Sequence, residues 1–229
     1  DLNFLALDTS SNACSVAVQA GDRIVNKHVV EARVHTRILM PMISELLEEF
    51  QLSVADLDAV ILGNGPGSFI GVRIGASVAQ GLCFGAGLKI VPISSLAVVA
   101  AEVFASSSTN YVAIAQDARM GELYFAQYER GTDGAPELIG SEKIVAADET
   151  QIIHMSTVIA GGGWDRHPNS LTGFTGTATK KLTISVPDAR FLLPLGVPAY
   201  LNGKGIEAGE LQPAYLRTKV AEKPSMKRG

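Results

Sequence analysis

The densest chemistry in this chain lies in the run Gly63-Asn64-Gly65-Pro66-Gly67-Ser68-Phe69-Ile70-Gly71-Val72-Arg73-Ile74-Gly75. It follows an apolar stretch, Leu57 to Leu62, that reads as a strand, and leads into a helix reaching about Gly85. Strand, glycine turn and helix in that order aim backbone N–H groups and the positive helix end at one spot, which suits an anion. Gly71 and Gly75 are four apart and share a helix face, where a second backbone could come close. The same residues therefore support phosphate binding or the docking of a partner. Two acids, Asp8 and Asp117, sit at the ends of strand-like runs, and each can accept a hydrogen bond from the backbone two residues on.

Other chemistries lack their parts. A catalytic zinc site commonly uses two histidines one helical turn apart. The four histidines here include His28 and His35, seven apart, and the distant His154 and His167; no pair has the spacing of one helix face. The nucleophile elbow G-x-S-x-G is missing, since Gly65-Pro66-Gly67-Ser68-Phe69-Ile70-Gly71 has the wrong spacing. Cys14 and Cys83 fall in a strand and a helix of small and apolar residues, where packing is the expected role. Arg73 does not stand where a phosphate-loop lysine would. A dinucleotide site wants an acid at the end of the following strand, and Val91-Pro92-Ile93-Ser94-Ser95 offers none. No catalytic residue and no metal ligand is assigned.

The elements that must position these groups come in a repeated order. Leu2 to Asp8, Cys14 to Gln19 and Ile24 to Val30 read as three strands, followed by a helix over Thr36 to Phe50 with Ile38, Leu39, Met42, Ile43, Leu46 and Leu47 on one stripe and Pro41 inside it. After the glycine turn and its helix come a strand, Lys89 to Ile93, and a helix over Leu96 to Phe104 that Ser94 or Ser95 can cap. Ser106-Ser107-Ser108-Thr109-Asn110 breaks the pattern and suggests two subdomains, 1–105 and 106–229. The opening then recurs: Tyr111 to Asp117, Gly121 to Tyr128, and a third strand near Leu138 to Val145. Thr157 to Ala160 enters Gly161-Gly162-Gly163-Trp164, Leu182 to Val186 reads as a short strand, and Pro187 to Asn202 as a helix interrupted by Pro194, Gly196 and Pro198. A duplicated unit of this kind predicts an α/β fold of two mixed sheets with a cleft between them, the second half reduced.

At 229 residues, 47% hydrophobic and 18% charged, the chain can bury a substantial core. A formal net charge of −4 gives no general basic footprint for nucleic acid; the exception is the tail, with Arg217, Lys219, Lys223, Lys227 and Arg228. No stretch is expected to reach the ~20 apolar residues of a membrane span. Two unpaired cysteines and the lack of a basic-then-apolar start point to the cytoplasm.

The glycine run resembles the G-P-G-S-F-T-G-x-R-x-G signature of the TsaB (YeaZ-like) family. Asp8-Thr9-Ser10, Asp117-Ala118-Arg119-Met120-Gly121-Glu122-Leu123-Tyr124 and Pro213-Ala214-Tyr215-Leu216-Arg217 match further motifs of that family in its order. The departure is Ile70, where the family carries Thr, which removes a hydroxyl able to cap the helix or hold a ligand. The resemblance implies an actin-like (ASKHA) fold of two ribonuclease-H-like subdomains. It implies a non-catalytic subunit in the making of threonylcarbamoyladenosine in tRNA, paired with the transferase TsaD and joined by the ATPase TsaE, and a homodimer when alone. TsaD carries H-x-x-x-H in the corresponding helix; here His35 is followed by Leu39, so the second ligand is absent. Contact with tRNA would come through the complex, and ATP or ADP with magnesium would be bound only within it.

Two sets of residues follow. His35, Ile38, Met42, Gly71, Ile74, Gly75 and Val78 are expected at the partner interface. Asp8, Thr9, Gly65, Gly67, Asp117 and Arg119 are expected at a degenerate or partner-completed nucleotide site, where Arg119 contacts a phosphate, a carboxylate or a partner loop; the alternative for Arg119 is an intramolecular pair with Glu122. The rival reading is an autonomous actin-like ATPase or phosphotransferase.

Overall fold

The first two strands are buried almost throughout and the third lies at the more exposed edge of the hairpin meander they build, which the parallel strands that follow extend. In the computed structural model, which describes residues 2–149, 157–168, 170 and 180–214, β1 (Asn3–Asp8), β2 (Ala13–Ala20) and β3 (Arg23–Val30) are antiparallel. Strands β4 (Ala59–Gly63) and β5 (Lys89–Ile93) add in parallel on the far side of β1, giving the order β3-β2-β1-β4-β5. The second sheet repeats this plan with β6 (Tyr111–Arg119), β7 (Glu122–Arg130), β8 (Pro136–Ala146) and β9 (Val158–Ala160), in the order β8-β7-β6-β9. Three antiparallel strands and a parallel fourth recur, and among the described residues the second sheet has no counterpart of β5. This is the actin-like architecture with a reduced second half.

Helix α1 (His35–Glu49) and helix α2 (Phe69–Ala86) cover one face of the first sheet, where Leu5, Leu7, Val16, Val60 and Leu62 meet Leu39, Ile43, Leu46, Ala76 and Ala79. Pro41 is accommodated within α1 on its exposed side, where the helix continues around it. Ser68 caps α2 by accepting from the Gly71 N–H at 3.2 Å, and Gly87 ends it in the left-handed region at φ 68°. The cap therefore comes from Ser68, and the side chain of Ile70 is 68% exposed, away from it.

Helix α3 (Ser95–Ser106) follows β5 directly but packs elsewhere. Leu96, Val99, Ala100, Val103 and Phe104 join Val112, Ile114, Ala126 and Tyr128 of the second sheet. In return a 3-10 turn, Ala189–Leu192, and helix α4 (Leu193–Leu201) cross back to the first sheet, where Ala189, Leu192 and Leu193 pack on Phe4, Ala6 and Ile61. The chain thus exchanges a helix in each direction across the serine-rich break. Arg130 holds that break, donating to the carbonyls of Phe104, Ser107 and Thr109 at 2.8, 2.6 and 2.9 Å.

Two local expectations are corrected. Leu182 to Val186 forms no strand: the segment runs beside β9 with one parallel bridge, Ile159 to Lys181, because β9 is only three residues long and gives way to Gly161. Helix α2, with 18 residues and a mean hydropathy of 1.4, is long and apolar enough to cross a membrane, contrary to the expectation from sequence. Its inner face is seated on the first sheet, which accounts for much of that apolar character.

Candidate functional site

The turn after β1 and the glycine turn after β4 interlock. Asp8 is 1% exposed; its Oδ1 accepts from the N–H and the hydroxyl of Ser10 at 2.8 and 2.7 Å, and its Oδ2 accepts from the Ser95 hydroxyl at 2.7 Å. Burial raises the pKa of Asp8, and the hydrogen bonds from Ser95 and Ser10 oppose that rise. The Ser68 N–H, the kind of donor that would meet an anion, instead meets the Ser10 carbonyl at 2.6 Å. Gly65 N–H goes to the Ser95 hydroxyl at 3.1 Å, and Thr9 Oγ1 donates to the Gly71 carbonyl at 2.7 Å.

Glycine is required here for close approach within the chain. A Cβ on Gly67 would lie 2.2 Å from the Ser10 carbonyl oxygen, and one on Gly71 would lie 2.1 Å from that of Thr9. At Gly75 a Cβ would come within 2.6 Å of Thr9 Oγ1, and at Gly63 it would overlap the Asp8 carboxylate. Asp8, Thr9, Gly65 and Gly67 are therefore brought together, but the donors and the space that an anion would use are taken by Ser10 and Ser95. The sequence reading missed these two serines; Ser10 was visible within the Asp8 turn, whereas Ser95 reaches Asp8 only through the fold.

Asp117 and Arg119 form the equivalent turn of the second sheet. Asp117 Oδ1 accepts from the Arg119 N–H at 3.0 Å, and its Oδ2 lies 3.6 Å from the Arg119 guanidinium. The intramolecular partner of Arg119 is thus Asp117, two residues away on the same side of the bulged hairpin, and not Glu122, the alternative the sequence offered. Arg119, Met120 and Gly121 all take positive φ, and the Arg119 side chain is 79% exposed. Nearby, His167 Nε2 stands 3.5 Å from Asp117 Oδ1 without a hydrogen bond, beside a shallow cavity of about 340 Å³ lined in part by Gly121, Asp148 and Arg166. Gly161 and Gly163 are pressed against Ala115 of β6 and serve packing. Among the described residues no three His, Cys, Asp or Glu side chains gather as metal ligands.

Four of the residues expected at the interface are enclosed by the chain itself. His35, Met42, Gly71 and Gly75 are buried against their own sheet and turn, because the small-residue face of α2 is the one seated on Thr9 and Leu7. Ile38, Ile74 and Val78 are half-buried and pack against the same core. What α2 presents outward is a different stripe. Ile70, Ser77, Gly81 and Phe84 lie along one side, with Phe84 85% exposed and open space over Gly81 and Gly85. Phe69 flanks it, half exposed, with the Arg73 guanidinium over its ring at 3.2 Å. On neighbouring α1, Met40 is 44% exposed. The basic tail, His154 and Tyr215-Leu216-Arg217 lie outside the described residues.

Comparisons with known proteins agree with one another. Residues 29–182 match the family model described as TsaD: tRNA N6-adenosine threonylcarbamoyltransferase. The chain is 37% identical to the tRNA threonylcarbamoyladenosine biosynthesis protein TsaB of Haemophilus influenzae over 97% of each chain. It is 35% identical to the Escherichia coli protein of the same name, again over 97% of each. Among solved structures, an uncharacterized protein from Pseudomonas aeruginosa with similarity to peptidase YEAZ superimposes with a TM-score of 0.86 at 34% identity, covering 95% of this chain and 100% of that one.

Proposed function

The chain belongs to the TsaB family, and from that premise we propose that it acts in tRNA threonylcarbamoyladenosine biosynthesis as a docking subunit without chemistry of its own. Its partner is TsaD, which carries the transfer, and the pair recruits the ATPase TsaE. The observation that carries this reading is the outward stripe of α2, centred on Gly81 and Phe84. An 18-residue helix that leaves a phenylalanine and a small-residue lane open has unspent apolar surface on the side away from its own sheet. Burying one such phenyl ring contributes roughly 2–3 kcal/mol to association, and the glycines let a partner helix approach closely. In the absence of TsaD the same stripe would bring two copies of this chain together.

The state of the first turn supports the lack of independent catalysis. Asp8 has both oxygens engaged inside the chain, and the glycine turn is closed by Ser10. ATP or ADP with magnesium would then be held only within the complex, and tRNA would be met there too. The cytoplasm, where tRNA is modified, is the proposed location. A peptidase reading finds little footing: among the described residues the grouping Ser15, His28 and Asp188 resembles a triad, but both partners lie on the same ring nitrogen, at 3.0 and 3.9 Å, and Ser15 is 0% exposed.

The test is capture of tagged TsaD by the wild type, Phe84→Asp and Gly81→Trp. Both variants should fold with unchanged circular dichroism and lose co-purification. Retention of TsaD in equal amounts by both would refute the docking reading. Calorimetry of the isolated chain with magnesium-ATP addresses the rival: tight binding and turnover without TsaD would establish an autonomous ATPase.

A further inference from the structure

The side chains that hold α3 in place form a continuous bonded path between the second sheet and the start of α2. Tyr128 Oη on β7 donates to Glu142 Oε1 on β8 at 2.7 Å, and the Ser94 hydroxyl donates to the same oxygen. Ser94 also caps α3, accepting from the N–H groups of Leu96 and Ala97 at 3.2 and 3.4 Å. One peptide further on, the Ser95 N–H donates to the Gly65 carbonyl at 2.8 Å, and its hydroxyl joins Gly65 N–H to Asp8 Oδ2. Asp8 holds Ser10, and the Ser10 carbonyl accepts from the N–H of Ser68, the cap of α2, at 2.6 Å.

Each link is a hydrogen bond or a single peptide step. Asp8, Ser10, Ser95 and Gly65 are buried, so a bond broken among them leaves a group that water does not readily satisfy. Burial and the neighbouring Glu142 keep the Tyr128 phenol protonated, and it remains a donor throughout the working pH range. Apolar side chains of α3 pack on the second sheet, so the start of the helix, which carries Ser94 and Ser95, is seated against it.

We infer that Glu142 is a positioning residue: through Ser94 and Ser95 it sets the seat of the glycine turn, so that a displacement of the second sheet is transmitted to the first turn of α2. The inference rests on the bonded path and stands apart from the identity of any partner. If Glu142 were only a local cap for α3, its loss would be felt at the start of that helix and nowhere beyond.

Amide hydrogen exchange on the full chain separates the two cases, using the wild type, Glu142→Gln, Glu142→Ala and Tyr128→Phe. Glu142→Gln keeps an acceptor for both hydroxyls and should match the wild type. Glu142→Ala should speed exchange at Gly65, Ser68 and Gly71 by about tenfold, the equivalent of one lost hydrogen bond, while Leu5 and Val16 stay protected. Tyr128→Phe removes one donor and should give the same local pattern at smaller amplitude. Faster exchange confined to Leu96, Ala97 and Tyr128 would overturn the inference, as would a uniform rise along the chain. Should Glu142→Ala fail to fold, an unchanged Gly65 and Ser68 in Tyr128→Phe would overturn it alone. Loss of TsaD capture by Phe84→Asp is read independently, so failure of the docking proposal leaves this result standing.

Discussion

Two glycines on one helix should respond in opposite directions to the same substitution. Gly71 faces inward, where a methyl group would stand 2.1 Å from the Thr9 carbonyl oxygen, while Gly81 faces open space. An ordinary carbon–oxygen contact is about 3.3 Å or more, so Gly71→Ala must push the first turn of α2 off the β1 turn by about 1 Å. Overpacking of that kind destabilises by about 1–3 kcal/mol. The Thr9 hydroxyl would also lose its 2.7 Å bond to the Gly71 carbonyl, roughly another 1 kcal/mol. Helix propensity gives back about 1 kcal/mol, and the net expectation is a loss of about 2 kcal/mol. Gly81→Ala carries the propensity term alone and should stabilise by about 0.5–1 kcal/mol. Urea unfolding followed by circular dichroism measures both, with two protein concentrations to separate self-association from folding. If Gly71→Ala is as stable as the wild type, or Gly81→Ala is the weaker of the two, the assignment of inner and outer faces of α2 is wrong.

Two further outcomes follow from buried charge and from the Arg130 clamp. Burial, and then Asp188, raise the pKa of Glu102 from 4.5 to about 7; the folded state therefore binds the proton more tightly, and stability declines as pH rises from about 4.5 to 7. Allowing for partial exposure, that decline is about 1–2 kcal/mol, and Glu102→Gln should flatten it in urea midpoints taken across that range; parallel curves for the two proteins would reject the cause. Arg130→Met removes the guanidinium from the carbonyls of Phe104, Ser107 and Thr109; it should lower stability by about 2–3 kcal/mol and speed proteolytic cleavage between 106 and 110, and an unchanged digestion pattern would count against the clamp.

Ile70 shows how far sequence motifs carry the reading. Replacing the family's threonine suggested a lost cap, yet Ser68 supplies the cap and position 70 faces outward on the exposed stripe of α2. Local pattern located the element and its start, and left the direction of the side chain open. The same holds for the second turn: Asp117 accepts from the N–H two residues on, as its residue type implies, while the choice of Asp117 over Glu122 as the partner of Arg119 depends on the bulge between Asp117 and Arg119.

Residue order determined most strands and helices, the two acidic turns and the repeated plan of the sheets, because apolar runs, turn chemistry and capping act over a few neighbours. It could not tell which face of α2 is inside. Apolar and small residues surround that helix, and only the approach of Leu7 of β1 and of Thr9 in the turn after it distinguishes Gly71 and Gly75 from Gly81 and Gly85. The meeting of Asp8 with Ser95 and of Ser94 with Glu142 likewise required the sheets to be assembled, since those contacts span 87 and 48 residues. Tertiary packing decided which glycines serve the chain's own close approaches and which face open space.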